Sequence, residues 1–372
     1  MGKPTFFSTS RISSLKKRIS LKKFFKVIGP GVITGAADDD PSGIATYSQT
    51  GAQYGYGLLW TAVFMLPLMY VVQEMAARIG VVTGKGITKN IKVHYSKYLL
   101  YPLITLLLIA NVINLGTDLG AMAAATQLLI PLDFKLLTIG FTVIILFMEL
   151  FTSYKKYARF LKWLTLSLFA YIITGLFIKN DWVQVIKYSL IPSFQFNFQW
   201  LFLVVGVLGT TISPYMMFWQ ANEEVEEEMS NHLLSKTGIG VPQINLKYLK
   251  KMRLDTFMGM LLSEVTTWFI IVTTAGTLNR NGITNIQTAD MAARALQPLV
   301  HAFPYSGIIA RTLFALGIIG TGLLAVPIFA AGSSYALCEM YTWKEGLDRK
   351  FNQAKAFYTI ILIATLVDYQ LI

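Results

Sequence analysis

Gly35-Ala36-Ala37-Asp38-Asp39-Asp40-Pro41-Ser42-Gly43 places three carboxylates and a helix breaker inside an otherwise apolar segment. Val27 to Ala37 leads in and Ile44 to Trp60 leads out with hardly a charge, so the break falls within a hydrophobic span. A charged carboxylate at the bilayer centre costs about 2.5–3.5 kcal/mol on insertion scales, and such residues line ion paths or polar cavities. The stretch reads as an ion site, with a surface turn as the plain alternative.

The surroundings support a membrane setting. Hydrophobic residues make up 54% of the 372, and Asp, Glu, Lys and Arg only 14%, against about 25% charged residues in a soluble domain. The apolar runs approach the ~20 residues a helix needs to cross the hydrocarbon core. They lack the ten-residue alternation of a transmembrane β-barrel. The fold class is therefore an all-α membrane protein. Cys338 is the single cysteine, and His94, His232 and His301 are scattered, which argues against a disulfide framework or a zinc enzyme.

Hydrophobic spans fall near 26–53, 56–79, 99–129, 134–152, 159–178, 198–221, 254–277, 305–341 and 355–372. Residues 1–25 carry seven Lys/Arg and no acid, and read as a basic cytoplasmic tail, not a cleavable signal peptide. With that tail inside, only Lys135, Lys179, Lys187, Arg280, Arg294 and Arg311 of the 32 Lys/Arg fall outside the cytoplasmic loops and the span ends beside them. The positive-inside rule thus sets the orientation and explains the charge of +12 without nucleic acid. A multi-pass protein of a bacterial plasma membrane, in contact with lipid, is expected.

A second break, Thr210-Thr211-Ile212-Ser213-Pro214-Tyr215, interrupts the sixth span as Pro41 interrupts the first. Broken helices at matching positions of two halves point to a LeuT-like inverted-repeat transporter with its site at mid-membrane. Residues 26–178 form the first five-helix repeat, 179–197 an outer loop, and 198–372 a second repeat whose fifth span, the tenth overall, is expected to be missing. Pro67 and Pro327 read as ordinary kinks.

Proline has no N–H, so Pro41 frees the carbonyl of Ala37 and Pro214 that of Thr210. Freed carbonyls at half-helix ends are natural cation ligands. Asp40 adds a full charge beside one; Thr210, Thr211 and Ser213 bring hydroxyls to the other. An all-oxygen donor set suits Mg²⁺ or Mn²⁺. Met216 and Met217 lie past the break and are expected to pack. Successive helical residues diverge by about 100°, so Asp40 is chosen as the ligand, Asp39 is assigned to the cavity wall, and Asp38 to ordering water or capping the half-helix.

Residues 40–60, Asp-Pro-Ser-Gly-Ile-Ala-Thr-Tyr-Ser-Gln-Thr-Gly-Ala-Gln-Tyr-Gly-Tyr-Gly-Leu-Leu-Trp, resemble the first helix of the NRAMP divalent-metal transporters. The resemblance continues through Glu74 to Gly86, Thr117-Asp118-Leu119-Gly120 and the Pro214 break. It implies a secondary transporter that is not an enzyme and carries no resident cofactor, with Mg²⁺ or Mn²⁺ as cargo and Fe²⁺ a further candidate. The family's Asp-Pro-Gly-Asn and Met-Pro-His read here Asp40-Pro41-Ser42-Gly43 and Ser213-Pro214-Tyr215. The Asn ligand thus falls on Gly43 and the Met ligand on Ser213. Loss of the thioether removes a filter for softer metals, and the pattern resembles the NRAMP-related magnesium transporters. A proton-coupled Mn²⁺/Fe²⁺ importer is the alternative. Of the family's proton route, Asp118 matches the first acid, while the partner positions are Ala121 and Tyr215; weak or absent coupling follows. A polar helix–helix contact is the other reading of Asp118.

Several charges carry plainer readings. Glu223, Glu224, Glu226, Glu227 and Glu228 read as a solvated helix end balanced by Lys247, Lys250, Lys251 and Arg253, or else as a collector of cations. Glu74 and Glu149 read as interface or ion-pair residues, and Glu264 could meet Arg311. A sodium-driven amino-acid carrier is disfavoured because Asp40 would repel a carboxylate. An intramembrane aspartyl protease using Asp40 and Asp118 lacks a Gly-x-Gly-Asp sequence.

Overall fold

The computed structural model describes residues 29–151, 169–235, 242–286, 289–297, 305–347 and 349–371. The basic tail, the first half of the 159–178 span and His301 lie outside them. Helices in chain order are α1 (Pro30–Asp38), α2 (Pro41–Tyr54), α3 (Leu59–Thr83), α4 (Ile87–His94), α5 (Lys97–Gln127), α6 (Phe134–Phe151) and α7 (Phe169–Phe177). They continue with α8 (Trp182–Leu190), α9 (Phe198–Thr211), α10 (Pro214–Ser230), α11 (Leu246–Thr277), α12 (Ala289–Ala293), α13 (Ser306–Tyr341) and α14 (Lys355–Leu371). Among the described residues, six stretches are long and apolar enough to cross a membrane: Leu59–Thr83, Lys97–Gln127, Phe134–Phe151, Phe198–Ser230, Leu246–Asn281 and Gly307–Tyr341. The α8 helix sits in the segment read from sequence as a loop.

Both breaks have one construction. α1 ends at Asp38, and Asp39 and Asp40 leave the helical region before Pro41 opens α2. α9 ends at Thr211, and Ile212 and Ser213 separate it from Pro214, the first residue of α10. Proline at the first helical position forfeits an N–H that has no intrahelical partner anyway. The sequence thus restarts each helix at no hydrogen-bond cost.

α1 is pinned along α11, which also packs on α2 and α3. Their shared face contains almost no side chain: a Cβ on Gly35 would stand 2.2 Å from the carbonyl oxygen of Gly259, and one on Gly259 2.0 Å from that of Gly31. Small residues of this kind let membrane helices approach backbone to backbone. The two helices run parallel, so α11 meets α1 in register: Asp255 at Gly29 and Gly31, Gly259 at Gly35, and Ser263 at Asp38. On the other side of the core, α13 packs along α5 and α14, burying Phe329, Tyr335 and Phe357. Leu106, Val143, Phe147 and Phe177 point outward and exposed, as lipid-facing side chains do.

Several charged residues depart from their expected settings. The Glu223–Glu228 run is no solvated helix end, because α10 continues to Ser230 and Glu224, Glu226 and Glu228 are buried. Glu226 accepts hydrogen bonds from the Tyr335 hydroxyl and from Leu347 N–H, and Glu227 meets one of the expected lysines, Lys251, at 3.2 Å. Arg253 turns instead to Glu74, which also binds Arg78, so the ion-pair reading of Glu74 holds. Glu264 is buried with neither carboxyl oxygen hydrogen-bonded among the described residues, so it does not hydrogen-bond Arg311 as the sequence suggested. Glu149 is likewise buried without a hydrogen-bond partner among the described residues.

Beyond the end of α13, burial and then the neighbouring Glu339 push the Glu345 carboxyl up to about 9. A carboxyl raised in the folded state contributes stability that is fully present below its unfolded value near pH 4.5 and is lost progressively as pH rises through about 9. We expect wild-type protein to lose thermal stability over this window and Glu345→Gln to flatten the slope in a melting series. The α1–α11 contact predicts that Gly259→Ala, which drives a methyl into backbone, destabilises the detergent-solubilised protein by about 1–3 kcal/mol. Gly140→Ala, with nothing within 4 Å of the added carbon, should leave the melting temperature unchanged.

Candidate metal site at the two breaks

Asp40 is the N-cap of α2. Its Oδ1 accepts from Gly43 N–H at 2.5 Å and from the Ser42 hydroxyl at 2.8 Å, and its Oδ2 is buried without a partner. Asp118, arriving from α5, accepts the Ser42 N–H at 3.1 Å through Oδ1, and its Oδ2 is also buried and unpaired. With Ile44 N–H bonded to the Asp40 carbonyl, the first turn of α2 is fully satisfied and two carboxylate oxygens are left over. The two readings of Asp118 merge: one oxygen holds a helix and the other is free.

Across the gap, the Thr210 hydroxyl oxygen is a third buried atom without a partner. A Cβ on Gly43 would lie 3.0 Å from Asp40 Oδ1 and 3.1 Å from Thr210 Oγ1. Glycine at 43 therefore keeps open the space between the two breaks. Ala37 is fully buried in the last turn of α1. The Thr210 carbonyl, expected to be free, lies 3.2 Å from the Ser213 hydroxyl; the residue meant to supply a second oxygen can cap the first.

Asp38 has a larger part than capping. Its Oδ1 accepts from Ser213 at 3.1 Å and its Oδ2 from Ser263 at 3.0 Å, so it ties the first break to the second and both to α11. Asp39 Oδ1 faces Ser263 at 3.4 Å and Thr267 at 3.3 Å. The helix stops at Asp38, so helical divergence does not set the directions of Asp39 and Asp40, yet the three acids still part. Asp40 and Asp118 share one side of the break, whereas Asp38 and Asp39 face α11. Glu264 lies within electrostatic reach of the latter pair.

Thr211 bonds the Tyr47 hydroxyl at 3.0 Å. Tyr215 is buried edge-on against Phe329, with ring centroids 4.4 Å apart. Met216 packs in the core as expected, and its carbonyl accepts from Gln73, which also donates to Gln220 at 2.6 Å. Sequence reading missed Ser263 and Thr267. Their signal was the four-residue spacing Asp255, Gly259, Ser263, Thr267, which lays a polar and small stripe along one helix face.

The arrangement could hold a hard cation through Asp40, Asp118, Thr210 and water. Among the described residues no three Asp, Glu, His or Cys side chains converge on one metal position, so hydroxyls, carbonyls or waters would complete a shell.

A family model described as natural resistance-associated macrophage protein-like, Nramp, matches residues 31–372. The sequence is 26% identical over 329 residues to the divalent metal cation transporter MntH of Klebsiella pneumoniae strain 342, covering 86% of this chain and 74% of the relative. The fold is similar to that of the Eremococcus coleocola manganese transporter in complex with an aromatic bis-isothiourea substituted compound. That match has a TM-score of 0.72 at 17% identity, and covers 94% of this chain and 70% of the other. A mutant of the same transporter matches with a TM-score of 0.70, covering 95% and 71%.

The shared role of Ser263 is testable by stability. Ser263→Ala removes the hydroxyl from two buried carboxylates and should lower stability by about 1–3 kcal/mol, read as a drop in melting temperature; Ser263→Thr, which keeps the hydroxyl, should recover most of it.

Proposed function

The chain belongs to the Nramp family of divalent metal transporters, and from that premise we propose that it carries Mg²⁺ as well as Mn²⁺ through the gap between its two broken helices. It is a membrane transporter and not an enzyme. The observation that carries the reading is the set of buried, unpartnered oxygens at the break, Asp40 Oδ2, Asp118 Oδ2 and Thr210 Oγ1, with no side chain at Gly43 to fill the space between them. Oxygen alone supplies no thioether preference for transition metals over Mg²⁺. The open position at Gly43 leaves room for a partly hydrated ion.

Transport proceeds by alternating access. The half-helices on either side of the breaks rock about Asp40 while α3, α5, α11 and α13 serve as the scaffold. The α4 end, which takes most of the Lys and Arg, faces the cytoplasm, and the bundle divides into the repeats 26–178 and 198–372. Proton coupling is weak or absent, because Ala121 and the buried Tyr215 stand where a relay would need titratable groups. Uptake is then driven by the metal gradient and by the membrane potential, worth about 2.3 kcal/mol per charge per 100 mV. A proton-coupled Mn²⁺ importer is the second reading, favoured by the manganese transporters among similar structures.

Liposomes holding the purified protein and dyes for Mg²⁺, Mn²⁺ and H⁺ separate the two. Entry of both metals with little lumenal acidification is expected. Mn²⁺ entry with strong acidification and no Mg²⁺ entry would establish the importer instead. Asp40→Ala should abolish flux of both metals; persistence of either would move the site elsewhere.

A further inference from the structure

The N-cap residue of α1 makes no side-chain cap of its own. Gly29 occupies the N-cap position and offers no side-chain acceptor. Asp255, 226 residues away on α11, supplies one: its Oδ1 accepts from Gly29 N–H at 2.9 Å and its Oδ2 from Gly31 N–H at 2.8 Å. The carboxylate is buried, and both of its oxygens are occupied by the backbone of a different helix. A helix start is normally capped by its own chain, so this one is held closed by a neighbour.

The position of that contact matters for movement. At its other end α1 is anchored by Asp38 to Ser213 and Ser263, next to the non-helical residues 39 and 40 that can act as a pivot. A nine-residue helix is about 13 Å long, and tilting it by about 20° about the break moves its N-terminus by about 4–5 Å. Such a shift breaks both Asp255 bonds while the Asp38 anchor is barely displaced. A cavity lined by Pro30, Glu224, Glu227, Lys251 and Asp255 lies beside the contact.

We propose that Asp255 is the latch of the α1 half-helix: it holds the α4 end of the transport path closed through Gly29 and Gly31, and its release is the step that opens that end. The inference rests on the reading of the protein as an alternating-access carrier. Asp255 is a positioning residue, since it acts on the path only through the placement of α1.

The test follows the position of α1 directly and needs no metal flux, so it stays informative if the liposome experiment rejects the transport reading. In a Cys338→Ala background, Thr34→Cys reports on α1, where Thr34 is 1% exposed, and Thr88→Cys reports on α4, where Thr88 is fully buried. Purified full-length protein is treated with a water-soluble maleimide, and the labelling rate of each reporter is followed. Asp255→Ala should raise labelling at Thr34→Cys by about tenfold or more. Asp255→Asn, whose single carbonyl oxygen can serve one N–H, should fall between wild type and Ala. Thr88→Cys should remain protected in all three. In the liposome assay the same variants should raise the KM for Mn²⁺ at a maximal rate no lower than half that of wild type. Unchanged labelling at Thr34→Cys, or equal increases at both reporters, would overturn the latch.

Discussion

A membrane interior offers no water to an interrupted helix, and the architecture follows from that shortage. Buried helix starts need acceptors from protein where water is absent, and at three of them the acceptors are carboxylates, most borrowed from other helices. Asp40 and Asp118 cap α2, Asp255 caps α1, and Glu339 caps α4 by accepting from Gly86 and Lys89 N–H. A helix N-terminus carries the positive end of its dipole, so an anionic acceptor is favoured there. The burial of these four acids in a chain with 14% charged residues becomes intelligible: they hold helix starts rather than pair with lysine or arginine.

Much of this was legible in the sequence. The two proline-marked breaks, their matching positions in the two halves and the oxygen-only chemistry around them were all visible, because a helix breaker inside an apolar run has few other meanings. The packing partner of the first break was not. Gly31, Gly35 and Gly259 are single small residues in long apolar spans, and only the register of α1 against α11 shows that they form one seam. Ser263 and Thr267 stayed hidden for the same reason, since a hydroxyl in a membrane helix can bond to its own backbone, as Thr274 does to Ile270. The glutamates of α10 were misread because charge density alone implies solvent. Side-chain and backbone donors such as Tyr335 and the Leu347 N–H, remote in sequence, make their burial tolerable.

The four aspartates at the first break are not equivalent, and helix polarity separates them. Asp40 and Asp118 meet the N-terminus of α2, where backbone N–H groups stabilise negative charge. Asp38 and Asp39 sit at the C-terminal end of α1, where the dipole opposes it. The second pair consequently depends on side-chain hydroxyls, Ser213, Ser263 and Thr267, and on whatever positive charge enters the gap. The C-terminal end of α9 reaches the same region through Thr210 and Thr211. Two negative helix ends and two positive ones therefore surround one space. On the proposed function, a cation held there by the free oxygens of Asp40 and Asp118 would also offset the negative dipole ends of α1 and α9, which couples the half-helices to their occupant through charge.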